Sequence, residues 1–226
     1  MPSNLADILF QMIAFLLAIS VHESAHAWTA SRCGDPTARM LGRVTLNPIK
    51  HIDPIGTIVL PLVAAISHIP LLGWAKPTPV DPRNFRHPVR DDILTSVAGP
   101  VSNFIVATGA VVLLWIISLT SGTGHDLVRS VASGIGGLSG SFLDPVVFLL
   151  YEMMIINIVL AVFNLIPVPP LDGSHVIRHF LSEPVRRVYD NIGIFGLLAL
   201  VYLGGGLLSA LIRPFIIFYR SLLVIF

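Results

Sequence analysis

Apolar residues in this sequence occur in long runs that are separated by polar connections. A bilayer core about 30 Å thick requires about 20 apolar residues in a helix to cross it. Four runs meet that length, and they cover Leu5–Ala30, Asp92–Thr120, Pro145–Ile166 and Asn191–Ile212. The pattern predicts an all-α polytopic membrane protein with about four to five transmembrane helices.

Two further apolar runs fall short of this requirement. The run from Ile55 to Leu72 is interrupted by Pro61 and Pro70, so it is a marginal fifth span. The tail Phe215–Phe226 is short and contains Arg220. An interfacial helix is therefore expected for the tail in place of a span.

Composition excludes several classes of protein. Hydrophobic residues make up 54% of the 226-residue chain and charged residues only 12%, about half the charge of a soluble domain. The chain has too few charged residues to cover a surface in water, and the expected partner of its surface is therefore a lipid bilayer. A net charge of +1 leaves no basic face for nucleic acid. With no repeat and no insert long enough for a soluble module, residues 1–226 are expected to form a single domain.

The first apolar run ends in a pattern that carries chemistry. His22 and His26 stand four residues apart in Ser20-Val21-His22-Glu23-Ser24-Ala25-His26, so both imidazoles project from one helical face and can hold one metal ion. Glu23 lies beside that face, where a carboxylate can accept a proton from water. This is the HExxH arrangement of zinc peptidases.

A catalytic zinc site usually has a third protein ligand, and Asp172 is the strongest candidate. It follows Asn164-Leu165-Ile166-Pro167-Val168-Pro169-Pro170-Leu171, in which three prolines impose an extended backbone. Such backbone at membrane depth is tolerated only when it is buried in protein or lines a wet cavity. His175 and His179 follow four residues apart and are expected on the polar face of a short helix.

Three motifs together resemble the site-2 protease family of intramembrane zinc metalloproteases, in its compact prokaryotic form without a PDZ or CBS module. They are the HExxH helix, Gly99-Pro100-x-x-Asn103 and Asn164-x-x-Pro167-x-Pro169-x-x-Asp172-Gly173. The resemblance implies one Zn²⁺ per chain, held by His22, His26 and Asp172, with Glu23 as the catalytic residue. It also implies that Asn103 and Asn164 bind substrate, although a helix-stabilising contact for Asn103 and a helix-end cap for Asn164 are equally open.

This resemblance implies an intramembrane zinc endopeptidase that cuts single-pass membrane proteins within or next to their transmembrane segment. It further implies a location in the prokaryotic cell (inner) membrane. The alternative is a membrane protein that binds or transports a metal ion without protease activity. The sequence leaves the substrate and the oligomeric state open.

Charge placement gives a separate prediction about topology. Connections 31–53 and 73–91 each carry four Lys or Arg residues, 167–190 carries three, and 121–144 carries one. Cytoplasmic loops carry the positive excess. If residues 55–72 re-enter or lie on the surface without crossing, the basic connections share the cytoplasmic side and Asp172 returns to the side of His26. The sequence therefore predicts a re-entrant or surface segment at 55–72 and an active site that opens to the cytoplasm.

Overall fold

The computed structural model describes residues 5–67, 73–134 and 140–224, and in these residues it contains helices and no β-strand. The helices are α1 Leu5–Cys33, α2 Thr37–Met40, α3 Leu60–Ile66, α4 Pro88–Thr120, α5 Gly122–Ser133, α6 Asp144–Asn164, α7 Asp172–Arg178, α8 Glu183–Leu203 and α9 Gly205–Val224. Among the described residues, four helices are long and apolar enough to cross a membrane: α1, α4, α6 and α9. The prediction of an all-α polytopic membrane protein is confirmed.

The centre of the molecule is formed by α1, α4 and α6, each of which packs against the other two. The main apolar core lies between α4, α5, α6 and α9, and includes Leu114, Val128, Met154 and Leu223. A smaller cluster joins α1 to α6 through Phe15 and Ile156. The predicted first three spans agree with α1, α4 and α6 to within a few residues.

The predicted fourth span, Asn191–Ile212, is wrong, as is the separate interfacial tail 215–226. The helix α8 ends at Leu203 and α9 begins at Gly205, because the glycines at 204–206 break the helix inside the predicted span. Gly193 also has a positive φ of 45° within α8. The helix of membrane-spanning length is therefore α9, which includes the tail as far as Val224.

Arg220 does not interrupt α9, because the protein supplies it with a partner. Its Nε donates to the hydroxyl of Tyr151 on α6 at 2.6 Å, and its guanidinium lies 5.5 Å from the centre of the same ring. A cation over an aromatic face retains part of its stabilisation away from water. A rule that counts charges along one segment cannot anticipate this contact between helices.

The chain at Trp74 lies next to the chain at Gly56, so the two ends of this segment are close together. A π-helical turn at Pro54–Val59 leads into α3, and residues 68–72 of the predicted segment lie outside the described residues. On the return, the backbone N–H of Trp74 donates to Gly56 O at 3.1 Å and that of Lys76 donates to His51 O at 2.9 Å. Residues 73–80 then belong to no helix or strand, and Thr78 in this segment contacts Glu23 of α1.

Candidate metal centre

His22, His26 and Asp172 meet at one point between α1, α4 and α7. The Nε2 atoms of the two histidines are 3.0 Å apart, and Asp172 Oδ2 lies 3.2 Å from His22 Nε2 and 3.4 Å from His26 Nε2. Both histidines are buried, at 7% exposure. The potential ligand group thus combines two residues that lie four positions apart on α1 with a third that follows 146 positions later in the chain.

The local backbone delivers Asp172 to this point. Leu171 is extended (φ −72°, ψ 156°), and α7 begins at Asp172 itself. The next residue must be small, because a Cβ at Gly173 would lie 2.3 Å from the carbonyl oxygen of Leu165 at the end of α6. The proline-rich connection and the close approach at Gly173 place the carboxylate against the histidine pair.

A chain of hydrogen bonds fixes the orientation of the His22 ring. Asn157 donates its amide to Met153 O at 2.7 Å, so its oxygen faces Asn103 and accepts from that amide at 2.7 Å. The oxygen of Asn103 in turn faces His22 Nδ1 at 2.5 Å. Each amide in this series of hydrogen bonds has only one consistent orientation. His22 Nδ1 is therefore the donor to Asn103, and His22 Nε2 is left as a lone-pair acceptor.

His26 is held in the same tautomer by a backbone group. Its Nδ1 lies 2.7 Å from the carbonyl oxygen of Thr95 on α4, and a carbonyl can only accept. Between these two partners on α4, Gly99 gives the imidazoles room, since a Cβ there would lie 2.4 Å from His26 Nε2. One face of α4 therefore supplies the hydrogen-bond partners of both histidines, Asn103 and Thr95, and the space at Gly99 that the imidazoles occupy.

The resulting cluster needs a cation. Two imidazole lone pairs and a carboxylate oxygen converge, and the buried Asp172 Oδ2 has no hydrogen-bond donor among the described residues. Two neutral imidazoles and one carboxylate are a common ligand set for zinc, so the residues present fit that ion.

Glu23 lies beside the cluster and is hydrogen-bonded to Thr78 in the segment 73–80. Its Oε2 accepts from the backbone N–H of Thr78 at 2.8 Å and from the Thr78 hydroxyl at 2.7 Å. That hydroxyl also contacts the Glu23 carbonyl oxygen at 3.0 Å. These contacts leave Oε1 as the carboxylate oxygen without a described protein donor.

The two predicted substrate-binding asparagines lie in different surroundings. Asn103 is fully buried and contacts His22, whereas the half-buried Asn164 donates to Leu160 O at 3.0 Å within its own helix. Sequence reasoning missed Asn157, Thr95 and Thr78. Asn157 had a detectable signal, since it is a polar residue within an apolar span; Thr95 acts through its carbonyl, and Thr78 is an unremarkable loop residue.

The family match of this helical bundle gives its class, a metalloprotease embedded in a membrane. Residues 10–204 match the profile of peptidase family M50. The chain belongs to that family, which confirms the resemblance to site-2 proteases.

Several curated proteins are similar to this chain. One, YwhC of Bacillus subtilis, bears the name of a zinc metalloprotease and is 34% identical over 194 residues, which cover 86% of this chain and 79% of YwhC. Rip2 of Mycolicibacterium smegmatis, also named as a zinc metalloprotease, is 27% identical over 208 residues, with 89% and 69% covered. The regulator of sigma-E protease RseP of Salmonella typhimurium is 33% identical over 127 residues, which cover 50% of this chain and 27% of RseP. No solved structure matches the chain.

Proposed function

We propose that this protein is an intramembrane zinc endopeptidase, with His22, His26 and Asp172 as metal ligands and Glu23 as the general base. Its substrates are single-pass membrane proteins, which it cuts within or next to their transmembrane segment. The proposal extends the metalloprotease class that the family supports to a particular set of residues and a particular kind of substrate.

The observation that carries the proposal is the convergence of three potential metal ligands inside a membrane-length helix bundle. His22 lies about 25 Å along α1 from Leu5, at 1.5 Å per residue, and α1 continues to Cys33. This supports a position of the histidine pair within the span and not on a soluble loop. A protease built at that depth acts on chains that lie in the membrane.

The residues of the chain divide the reaction between them. Zinc, when bound, supplies the Lewis acid that activates water and polarises the scissile carbonyl. Glu23 accepts the proton of the attacking water and returns it to the leaving amine. Thr78 fixes one oxygen of Glu23, so that the other faces the water, while Asn103 and Thr95 hold the two imidazoles in the required tautomer.

Backbone outside the helices near the cluster supports the binding of an unwound substrate. A helix hides its carbonyl groups in its own hydrogen bonds, so a substrate must be extended before it is cut. Residues 73–80, which belong to no helix or strand, offer backbone groups to such a strand. The proline segment before Asp172 forms turns and not the extended backbone expected from its three prolines, and Asn164 lies next to it. The contacts of Asn103 favour orientation of His22 over contact with substrate.

We further propose that the active site opens to the cytoplasm and that residues 55–72 enter the membrane and return on the same side. The hydrogen bond from Trp74 N to Gly56 O supports this, because the two ends of the segment lie together. With four crossings, the connections 31–53, 73–91 and 167–190 share the side with most Lys and Arg residues, which the positive-inside rule assigns to the cytoplasm. The prokaryotic cell membrane follows as the location.

The test is zinc content together with cleavage of a model transmembrane substrate. We expect about one zinc per wild-type chain, loss of zinc in Asp172→Ala, and full zinc without cleavage in Glu23→Gln. Asp190→Ala is the matched control, since it removes an exposed carboxylate whose described ion-pair partner is Arg178 at 3.2 Å, and it should retain both properties.

Three results would contradict the proposal. Full zinc in Asp172→Ala would remove Asp172 from the ligand set. Cleavage by Glu23→Gln at the wild-type rate would exclude Glu23 as the base, and bound metal without any cleavage by wild type would favour metal binding or transport.

A further inference from the structure

A second pair of histidines shares a helical face with the proposed metal ligand Asp172. His175 lies on α7, three residues after Asp172. His179 lies seven residues after Asp172 and directly follows the last residue of α7. At 3.6 residues per turn, these positions lie within about 60° of one another around the helix axis. The face that presents Asp172 to the histidines of α1 thus presents two imidazoles to α4.

Both imidazoles face one carboxylate of α4. His179 Nε2 lies 2.7 Å from Asp92 Oδ2, and His175 Nδ1 lies 3.7 Å from Asp92 Oδ1. The Asp92 side chain is 12% exposed and that of His179 is 19% exposed. The His179–Asp92 contact is therefore a largely buried hydrogen bond, in which a charged acceptor makes the bond stronger than a neutral one.

The two helices match in register along this contact. Asp172 meets the histidine cluster at the level of Gly99, and His179 meets Asp92, which precedes Gly99 by the same seven residues. Seven residues rise about 10 Å in an α-helix, so α7 runs antiparallel to α4 with equal spacing on both sides. A displacement of His179 relative to Asp92 therefore displaces Asp172 relative to the metal cluster.

The helix α7 needs such an external support. It has seven residues, too few for an isolated helix to be stable in water. Its first turn is held by the close packing of Gly173 on Leu165, and among the described elements α4 is the one it packs against most extensively. The Asp92 contact secures the opposite end.

We propose that Asp92, His175 and His179 form a clamp that positions Asp172 as a metal ligand. These three are positioning residues, with His179–Asp92 as the principal contact and His175 as the outer, more exposed one. The inference rests on the proposed function in one respect, namely that Asp172 binds the metal.

The test measures the metal centre directly on the full chain in detergent. We expect zinc to leave His179→Ala and Asp92→Ala about tenfold faster than wild type when a chelator is added, in line with the effect of outer partners of metal ligands. With Co²⁺ in place of zinc, the visible absorption of both variants should also change, since it reports the coordination geometry. His179→Gln should restore both properties, because its amide can still donate to Asp92.

Two controls change neighbouring residues that lie outside the clamp. Arg178→Ala removes a side chain of α7 whose described partner is Asp190 on α8. Asp91→Asn alters the adjacent buried carboxylate of α4, whose Oδ2 accepts from the backbone N–H of His87. Both should release zinc at the wild-type rate and retain the wild-type Co²⁺ spectrum.

The outcomes separate this inference from the function on which it rests. If Asp172→Ala loses zinc while His179→Ala and Asp92→Ala release it as wild type does, the clamp is excluded and the ligand set stands. If Asp172→Ala retains zinc, the ligand set fails and the clamp fails with it. Two metal ions per wild-type chain, one of them lost in His179→Ala, would also overturn the clamp, since these residues would then bind a metal themselves.

Discussion

The buried face of α4 has opposite chemistry at its two ends. Towards its beginning the face carries Asp92, Thr95, Gly99 and Asn103, and towards its end it carries Ala107, Val111 and Leu114. Both ends are equally closed, since Asn103 and Leu114 are each 0% exposed. The same stripe of one helix is thus polar where it meets α1 and α7 and apolar where it meets α5, α6 and α9.

The contrast separates residues that hold the bundle together from residues that hold a metal. In lipid, helices associate through close packing and hydrogen bonds and not through the hydrophobic effect, and the apolar end supplies the packing. Buried polar groups are costly unless they are paired, yet at the polar end the side-chain amides and imidazoles have defined partners. Substitutions at the two ends should therefore alter different properties of the protein.

The largest effect on stability is expected at the apolar end. Leu114→Ala leaves a cavity in the core and should lower the free energy of unfolding by about 2–5 kcal/mol, measured by denaturant titration in detergent. Zinc content should stay at the wild-type level. Leu113→Ala is the control, because Leu113 is 49% exposed on the outer face of the same helix and should have little effect. Loss of zinc from folded Leu114→Ala would contradict the separation of the two ends.

Glycine substitutions on α4 sharpen the comparison further. Gly99→Ala places a methyl group 2.4 Å from His26 Nε2. Such overpacking costs about 1–3 kcal/mol, and because the displaced group is a proposed metal ligand, we expect this cost to appear as weaker zinc binding. Gly109→Ala meets nothing within 4 Å and should leave zinc binding unchanged, with a slight gain in helix stability. Zinc affinity from chelator competition checks both variants. Equal affinities in the two would show that the imidazoles do not depend on the space at Gly99.

A smaller effect is expected from the hydrogen-bond chain behind His22. Asn103→Ala removes the acceptor for His22 Nδ1 and should weaken zinc binding by about 10- to 100-fold, measured in the same competition. Asn157→Ala leaves His22 with its direct partner but removes the group that orients Asn103, so its effect should be smaller in the same direction. A zinc affinity of Asn103→Ala equal to that of wild type would instead favour the substrate-binding role predicted from the sequence.

Much of this arrangement is readable from the sequence, for identifiable physical reasons. The first three spans follow from runs of apolar residues, and the histidine pair with Glu23 follows from helical periodicity. Asp172 stands out because prolines precede it at membrane depth. In each case the signal lies within one short segment.

The features that the sequence did not reveal depend on contacts between segments. Arg220 is tolerated in α9 because Tyr151 lies opposite it, and the boundary between α8 and α9 depends on which glycine ends the helix. Thr95 contributes a carbonyl, which every residue possesses. The pairing of His179 with Asp92 requires the register of α7 on α4, which no local pattern encodes.

The smallest predicted effect comes from a buried polar residue near the polar end but outside the metal site. Asp35 is 0% exposed and accepts from Asp81 N at 2.8 Å and Asn84 Nδ2 at 3.0 Å. Although burial raises its pKa, these bonds and those from Thr37 lower it more, so the net pKa falls below the ordinary 3.8.

A carboxylate with a lowered pKa stabilises the fold above its ordinary pKa, and that contribution is lost as the pH falls through the lowered value. Asp35→Asn should therefore cost about 1 kcal/mol at pH 7, and the difference from wild type should shrink progressively below pH 3.8. Thermal unfolding of both proteins across this range measures it, and zinc binding at pH 7 should be unchanged. A difference that persists at the lowest pH would mean that the loss of an acceptor oxygen at residue 35, not the loss of its charge, weakens these contacts. Loss of zinc from Asp35→Asn would mean that the metal site depends on residues beyond the face of α4. The burial of a polar group at that end would then no longer show whether the group serves the metal site or the fold.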